Sequence, residues 1–220
     1  MKSVFDKYYK KYDSWYEDNK FVYLSELKAI RKVLPKKGRG LELGVGTGRF
    51  ATALGIKYGV DPSKNMLKIA KERGVDVKLG VGEKLPFMNS SFNYVAIIIT
   101  LSFCKDPVKV LKEVKRVLKK NGKVIIGIVD RNSFLGKVYQ KKKSIFYREA
   151  DLFRVKDVEA LLKAMNYKNI SCYQTVFKLP DKISSVEEPR KGYGKGGFVV
   201  IGAEKDSKVI SELNKKFAYN

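Results

Sequence analysis

The stretch Leu41-Glu42-Leu43-Gly44-Val45-Gly46-Thr47-Gly48 constrains this chain more than any other. A short apolar run carrying an acidic residue leads into three glycines at alternate positions. Glycine lets a backbone turn sharply at positive φ and leaves no Cβ between the chain and a ligand. Nineteen residues beyond Glu42, Asp61 closes a second apolar run, Tyr58-Gly59-Val60. Two acidic strand ends around a glycine loop suit a nucleoside, whose ribose hydroxyls need acceptors. The dinucleotide fingerprint does not fit. With Gly44 and Gly46 as its first two glycines, Arg49 stands where the third belongs. No Lys-Ser/Thr pair follows, which removes a phosphate-cradling P-loop.

Around this loop the hydrophobic pattern alternates. Tyr8, Tyr12, Trp15 and Tyr16, then Leu24, Leu27, Ile30, Val33 and Leu34, recur at helical spacing and predict a helical cap over 5–34, which Pro35 ends. Strands are expected at 40–43, 56–60, 75–79, 94–100, 123–129, 170–177 and 198–203. Helices are expected at 49–54, from the Ser63 cap to Gly74, from Asp106-Pro107 to Asn121-Gly122, and at 155–165. Residues 131–155 read as mixed, with Tyr139, Phe146, Tyr147 and Phe153 among lysines, and 178–197 as a glycine- and proline-rich loop. Alternating units that end in two strands without a full helix between them indicate α/β architecture: a seven-stranded, mostly parallel sheet with one antiparallel strand. Segments 1–34, 35–205 and 206–220 divide into cap or lid, core, and a C-terminal helix or tail. Ligands of such sheets sit at the carboxyl ends of the strands, where Gly44 to Gly48, Asp61 and Thr100 fall.

Composition narrows the chemistry. The chain has 220 residues, and 46 Lys and Arg stand against 23 Asp and Glu, a formal charge of +23. The basic residues are spread along the chain, the largest cluster being Lys141-Lys142-Lys143. A lysine-rich solvated surface of the kind enriched in heat-adapted proteins therefore outweighs a nucleic-acid partner, and an anionic small substrate is compatible with either. Histidine is absent, which removes the commonest general base and every histidine-based triad. Cys104 and Cys172 are far apart in apolar surroundings, without metal-site spacing. No run is long enough to span a membrane and no secretory signal is visible, so the chain reads as cytoplasmic.

The ordered segments 41–50, 59–67, 82–87, 91–95 and 111–123 together resemble the class I S-adenosylmethionine (SAM)-dependent methyltransferases. Within these the likeness is greatest to the ubiquinone/menaquinone-type group, and it covers residues 12–130. The resemblance implies a Rossmann-like core with helices on both sheet faces, SAM as donor, S-adenosylhomocysteine as product and no metal. It places Gly44, Gly46 and Gly48 under the methionine part of SAM, with Glu42 steadying that loop and the amino group. Asp61 would accept the ribose hydroxyls. Pro62 and Met66 would pack on adenine, or serve only helix-start geometry and core packing. Val81, Gly82 and Glu83 would meet the adenine edge, and Thr100 and Leu101 the methyl side. Tyr12, Trp15 and Tyr16 are lid candidates, or a helix stapled to the core; Tyr193 is a candidate for the acceptor pocket, or part of a surface hairpin. Val81 and Gly82 depart from the family's usual Asp-Ala, so backbone groups must hold the adenine amino group. No catalytic residue is assigned. Three expectations stand: a small-molecule methyltransferase, an RNA or protein methyltransferase using the basic surface, and a SAM-binding regulator without turnover.

Overall fold

The computed structural model describes residues 4–141 and 145–206. Its helices are α1 (Val4–Lys7), α2 (Tyr9–Asp18), α3 (Lys20–Arg31), α4 (Arg49–Leu54), α5 (Lys64–Glu72), α6 (Pro107–Val117), α7 (Phe134–Lys141) and α8 (Val155–Ala164). Its strands are β1 (Gly40–Leu43), β2 (Tyr58–Asp61), β3 (Asp76–Leu79), β4 (Phe92–Ile98), β5 (Leu118–Val129), β6 (Tyr167–Thr175), β7 (Arg190–Lys191) and β8 (Phe198–Lys205). They form one sheet in the order β3-β2-β1-β4-β5-β8-β6-β7. Strands β1 to β5 run parallel, β8 pairs antiparallel with β5 and β6, and β7 pairs antiparallel with β6.

Strand β4 shows why both faces are covered. Val95 and Ile97 point toward the face packed by Val110, Leu111, Val114 and Val117 of α6 and by Val155, Val158 and Leu162 of α8. Tyr94, Ala96 and Ile98 point toward the face packed by α3, α4 and α5. Successive side chains on a strand face opposite ways, so a strand buried on both faces needs the unbroken apolar run found here. The predicted caps form as expected: Ser63 Oγ accepts from the Met66 N–H at 3.2 Å, and Asp106 Oδ1 accepts from the Lys109 N–H at 2.9 Å.

Several boundaries differ from expectation. Among the described residues the sheet has eight strands, two of them reversed, because the loop expected at 178–197 holds β7, paired through Tyr173↔Lys191 and Gln174↔Arg190. The N-terminal stripe is three helices. At Asn19 (φ −119°, ψ 42°) the side-chain amide and the backbone N–H both donate to the Trp15 carbonyl at 2.9 Å and end α2. Leu118 is already extended and pairs with Phe92, so β5 starts five residues before Lys123, with an irregularity before Tyr94↔Lys123. Strand β6 starts at Tyr167, three residues before Ile170, and absorbs a bulge at Asn169, φ 53°. Helix α7 occupies part of the stretch read as mixed. The helix expected over 206–218 lies outside the described residues except for Asp206, which is not helical. Among the described residues, no helix is long and apolar enough to cross a membrane.

Candidate active site

Strand β1 delivers its glycine loop to the point where strand order reverses, between β1 and β4, the usual ligand crevice of such sheets. The Gly44 and Val45 N–H groups donate to the Val60 carbonyl at 2.8 and 3.1 Å, which ties the loop to β2. Gly44 has φ +71°, and a Cβ there would stand 2.2 Å from Thr100 side-chain atoms. Gly46 has φ +51°, and a Cβ there would clash with nothing, making only van der Waals contact with Tyr12 Cε1 at 3.7 Å and Met66 Sδ at 4.0 Å on the cavity side. Gly44 thus permits close approach of two strand ends, while Gly46 leaves room for a ligand. Gly48 lies against Ala70 of α5 and outside the cavity lining.

Asp61 ends β2 at the cavity wall. Its Oδ2 accepts from the Gly46 N–H at 3.0 Å and its Oδ1 from the Ser63 N–H at 2.8 Å. Burial pushes the carboxyl up to about 6, against the lowering effect of these two N–H groups. Each oxygen retains acceptor capacity for a hydroxyl. Glu42 is 2 % exposed and outside the cavity lining. Burial raises its carboxyl well above the usual range, opposed by a hydrogen bond to the Ala51 backbone, and its Oε2 has no partner.

The cavity measures about 890 Å³, at the upper end of the roughly 300–1,000 Å³ typical of small-ligand sites. Pro62, Met66, Val81, Gly82, Glu83 and Thr100 line it with Gly44, Gly46 and Asp61. Glu83 also ties down a neighbouring connection, its Oε1 accepting from the Lys105 and Asp106 N–H groups at 3.0 and 3.3 Å. Leu101 is fully buried in the core beside α6 and does not reach the cavity. Tyr12, Trp15 and Tyr16 line it, whereas Tyr193 is exposed on the β7–β8 connection, away from it.

Across β4 and β5 the lining changes character. Val22 and Glu26 of α3, Val129, Leu135 and Tyr139 of α7, and Phe146 and Tyr147 join Phe5 and Phe103 there. Phe5 stacks on Phe146 with centroids 5.4 Å apart and meets Phe103 edge-on at 4.9 Å; Tyr139 lies 4.3 Å from Tyr147. The Tyr12 and Tyr16 hydroxyls are hydrogen-bonded at 2.7 Å. Sequence reasoning missed Phe5, Glu26, Phe103, Tyr139, Phe146 and Tyr147 as site residues. One signal was available: Glu26 lies four residues from both Val22 and Ile30, an acid on an apolar helical stripe.

The N-terminal helices are fastened over the loop. Asp13 of α2 accepts from Arg49 Nε and Nη2 at 2.8 Å, from Arg73 Nη1 and Nη2 at 2.7 and 2.9 Å, and from Thr47 Oγ1 at 2.6 Å. Burial works against its charge, but hydrogen bonds from Arg73, Arg49 and Thr47 prevail and hold the carboxyl below the usual range. Arg49, which occupies the place of the missing third glycine, is thus half of a clasp. Asp6 adds a second tie, accepting from Ser63 Oγ at 2.6 Å, while its backbone carbonyl accepts from Asn65 Nδ2 at 3.0 Å. The basic residues lining the cavity, among those described, are Lys105 and Lys109, both exposed and beside Glu83 and Asp106.

Residues 41–126 match a family model described as a methyltransferase domain. An uncharacterized protein of Methanocaldococcus jannaschii is 51% identical over 205 residues, covering 92% of this chain and 99% of its own length. A crystal structure from Thermotoga maritima, described as a SAM-dependent methyltransferase and "possible histamine N-methyltransferase", superposes with a TM-score of 0.90 at 44% identity, covering 92% of this chain and 98% of that one. The demethylmenaquinone methyltransferase of Oceanobacillus iheyensis is 31% identical over 194 residues, covering 78% of this chain and 76% of its own length. With the switch-point cavity, the open glycine loop and Asp61 in place, these matches make the chain a member of the class I S-adenosylmethionine-dependent methyltransferases.

Proposed function

We propose that this enzyme methylates a small molecule enclosed at the aromatic end of the cavity, with the SAM nucleoside at the Asp61 end and α1 to α3 as the lid. The observation that carries this reading is the single cavity that runs from the glycine loop to an aromatic wall contributed by the N-terminal helices. The residues present fit SAM: the open side of Gly46 admits ligand, and Asp61 offers acceptors for a ribose diol. Met66 and Pro62 supply apolar contact for a base, and the backbone of 81–83 supplies its polar edge. When bound, SAM supplies a methyl group on a sulfonium sulfur.

In-line transfer asks the protein mainly for alignment and exclusion of water. Thr100, locked against Gly44, fixes where the two sides of the cavity meet, its Oγ1 donating to the Ile98 and Gly44 carbonyls at 3.0 and 3.3 Å. Tyr12, Trp15 and Tyr16 present apolar surface and exclude solvent. The scarcity of Lys and Arg in the lining favours a small acceptor over RNA or protein. Two free cysteines, both with thiols pushed up to about 12 by burial, suit a reducing cytoplasm. Methyl-labelled SAM incubated with the enzyme and with separate metabolite, RNA and protein extracts tests the reading. Label in the metabolite fraction is expected; label confined to RNA or protein, or no label at all, overturns it.

A further inference from the structure

Glu26 is 3 % exposed, lines the cavity, and leaves its Oε2 without a hydrogen-bond partner. Among the described residues no lysine or arginine forms an ion pair with it. Isolated burial of an ionised carboxylate is strongly unfavourable, and it pushes Glu26 up to about 8. A core position on a helical stripe would be served better by leucine, so the acid needs a partner that is absent from the chain itself.

The surroundings specify that partner. Tyr12 and Tyr16 of α2, Tyr139 of α7 and Tyr147 of the turn beyond it line the same cavity as Glu26, and a charge on Glu26 would act on each phenol. Burial first, and then neighbouring groups that include Glu26, hold all four phenols above their usual range, so they stay neutral. Aromatic faces around one desolvated carboxylate attract a cation twice, through the ring quadrupoles and through a charge-assisted hydrogen bond. An anion there would find no cationic partner beside Glu26, because the two lysines of the described lining, Lys105 and Lys109, lie on the Glu83–Asp106 side.

We propose that the methyl acceptor is a primary or secondary amine that enters as its ammonium ion, and that Glu26 is the carboxylate that binds it and takes its proton. This deepens the methyltransferase reading of the same cavity and rests on it. The ammonium N–H passes its proton to the Glu26 carboxylate, leaving a nitrogen lone pair. That nitrogen bonds to the methyl carbon as the carbon–sulfur bond breaks, its electron pair passing to sulfur as the thioether of S-adenosylhomocysteine. The product leaves as the N-methylated ammonium ion, and the proton on Glu26 is released to water.

Calorimetry on the S-adenosylhomocysteine-loaded enzyme tests this, with phenethylamine and histamine as probes and 3-phenylpropionate as the anionic control. Wild type should bind at least one amine and not the carboxylate. At pH 7 binding should release close to one proton, read from two buffers of different ionisation enthalpy, as an initially protonated Glu26 ionises against the ammonium. Glu26→Gln should weaken amine binding by about 10- to 100-fold, the size of one lost charged hydrogen bond, and abolish the proton release, with S-adenosylhomocysteine affinity unchanged as the control for folding. A carboxylate preference, an amine affinity unchanged in Glu26→Gln, or binding of neither amine by a product-loaded wild type overturns the proposal. A wild type that does not bind S-adenosylhomocysteine overturns the methyltransferase reading as well.

Discussion

At the β1–β2 end of the cavity, the polar groups come from strand ends and loops, Gly44 to Ser63 and residues 81–83. At the β4–β5 end they come from Tyr12 and Tyr16 on α2, Glu26 on α3, Tyr139 on α7 and Tyr147 beyond it, elements far apart in the chain. The first end is a backbone device: glycines at positive φ, N–H groups directed at Asp61, and one carboxylate held between them. The second is a side-chain device, with aromatic rings and one unpartnered acid gathered from the two halves of the chain. A backbone device can be shared by every enzyme that uses the same donor, whereas a side-chain device changes with the acceptor. On the proposed function, donor recognition would belong to the core and acceptor choice to the lid and α7.

The largest effect that would break this division is at Asp61. Asp61→Ala removes the acceptors proposed for the ribose hydroxyls and orphans the Gly46 and Ser63 N–H groups. S-adenosylhomocysteine affinity should fall by about 100-fold or more, as expected for two lost hydrogen bonds to a charged group, and calorimetry would show it. Because the carboxyl sits near 6, wild-type affinity should hold above that pH and weaken as pH falls through it, when one acceptor becomes a protonated hydroxyl. An unchanged affinity in the variant would place the nucleoside elsewhere.

A smaller effect sharpens the division at the clasp between α2 and the loop. Asp13→Ala removes the ties of Arg49 and Arg73 to α2, leaving Arg49 its pair with Glu17, and loosens the helix that also carries Tyr12 and Tyr16. Donor-product affinity should fall by about tenfold, the value of roughly one such hydrogen bond, and the melting temperature should drop by about 2–4 °C for each kcal/mol lost. The Asp13 carboxyl is depressed in the folded state, so its contribution is complete above the unfolded value near 3.8 and is lost as pH falls through the lower, folded value. A variant that melts and binds like wild type would show that the clasp is not what closes the lid.

The glycine-loop end of the cavity was legible because its signal is local. The Gly44–Gly48 loop, Asp61 and the Ser63 cap lie within a few turns of chain, and each needs a particular residue type. The strands were legible for a related reason, since β4 must be apolar throughout to sit between two helical layers. The failures are nonlocal. Leu101 adjoins the site in sequence but turns into the α6 core, and Glu42 sits outside the lining. Tyr193 is an aromatic residue in a glycine-rich loop, but β7 pairing with β6 leaves it on the surface. Tyr139, Phe146 and Tyr147 were visible as aromatics among lysines, yet nothing in their own segment says that they will meet Phe5, Tyr12 and Glu26. Only the packing of α7 and of the N-terminal helices over the sheet brings them together.

A crystal structure of the enzyme with S-adenosylhomocysteine tests most directly whether one cavity is divided into donor and acceptor ends. The division predicts ribose hydroxyls hydrogen-bonded to Asp61, the base between Met66 and residues 81–83, and the thioether facing an aromatic end that the ligand does not fill. An adenosine lodged among Phe5, Tyr139 and Tyr147, with Asp61 free of the ligand, would contradict it.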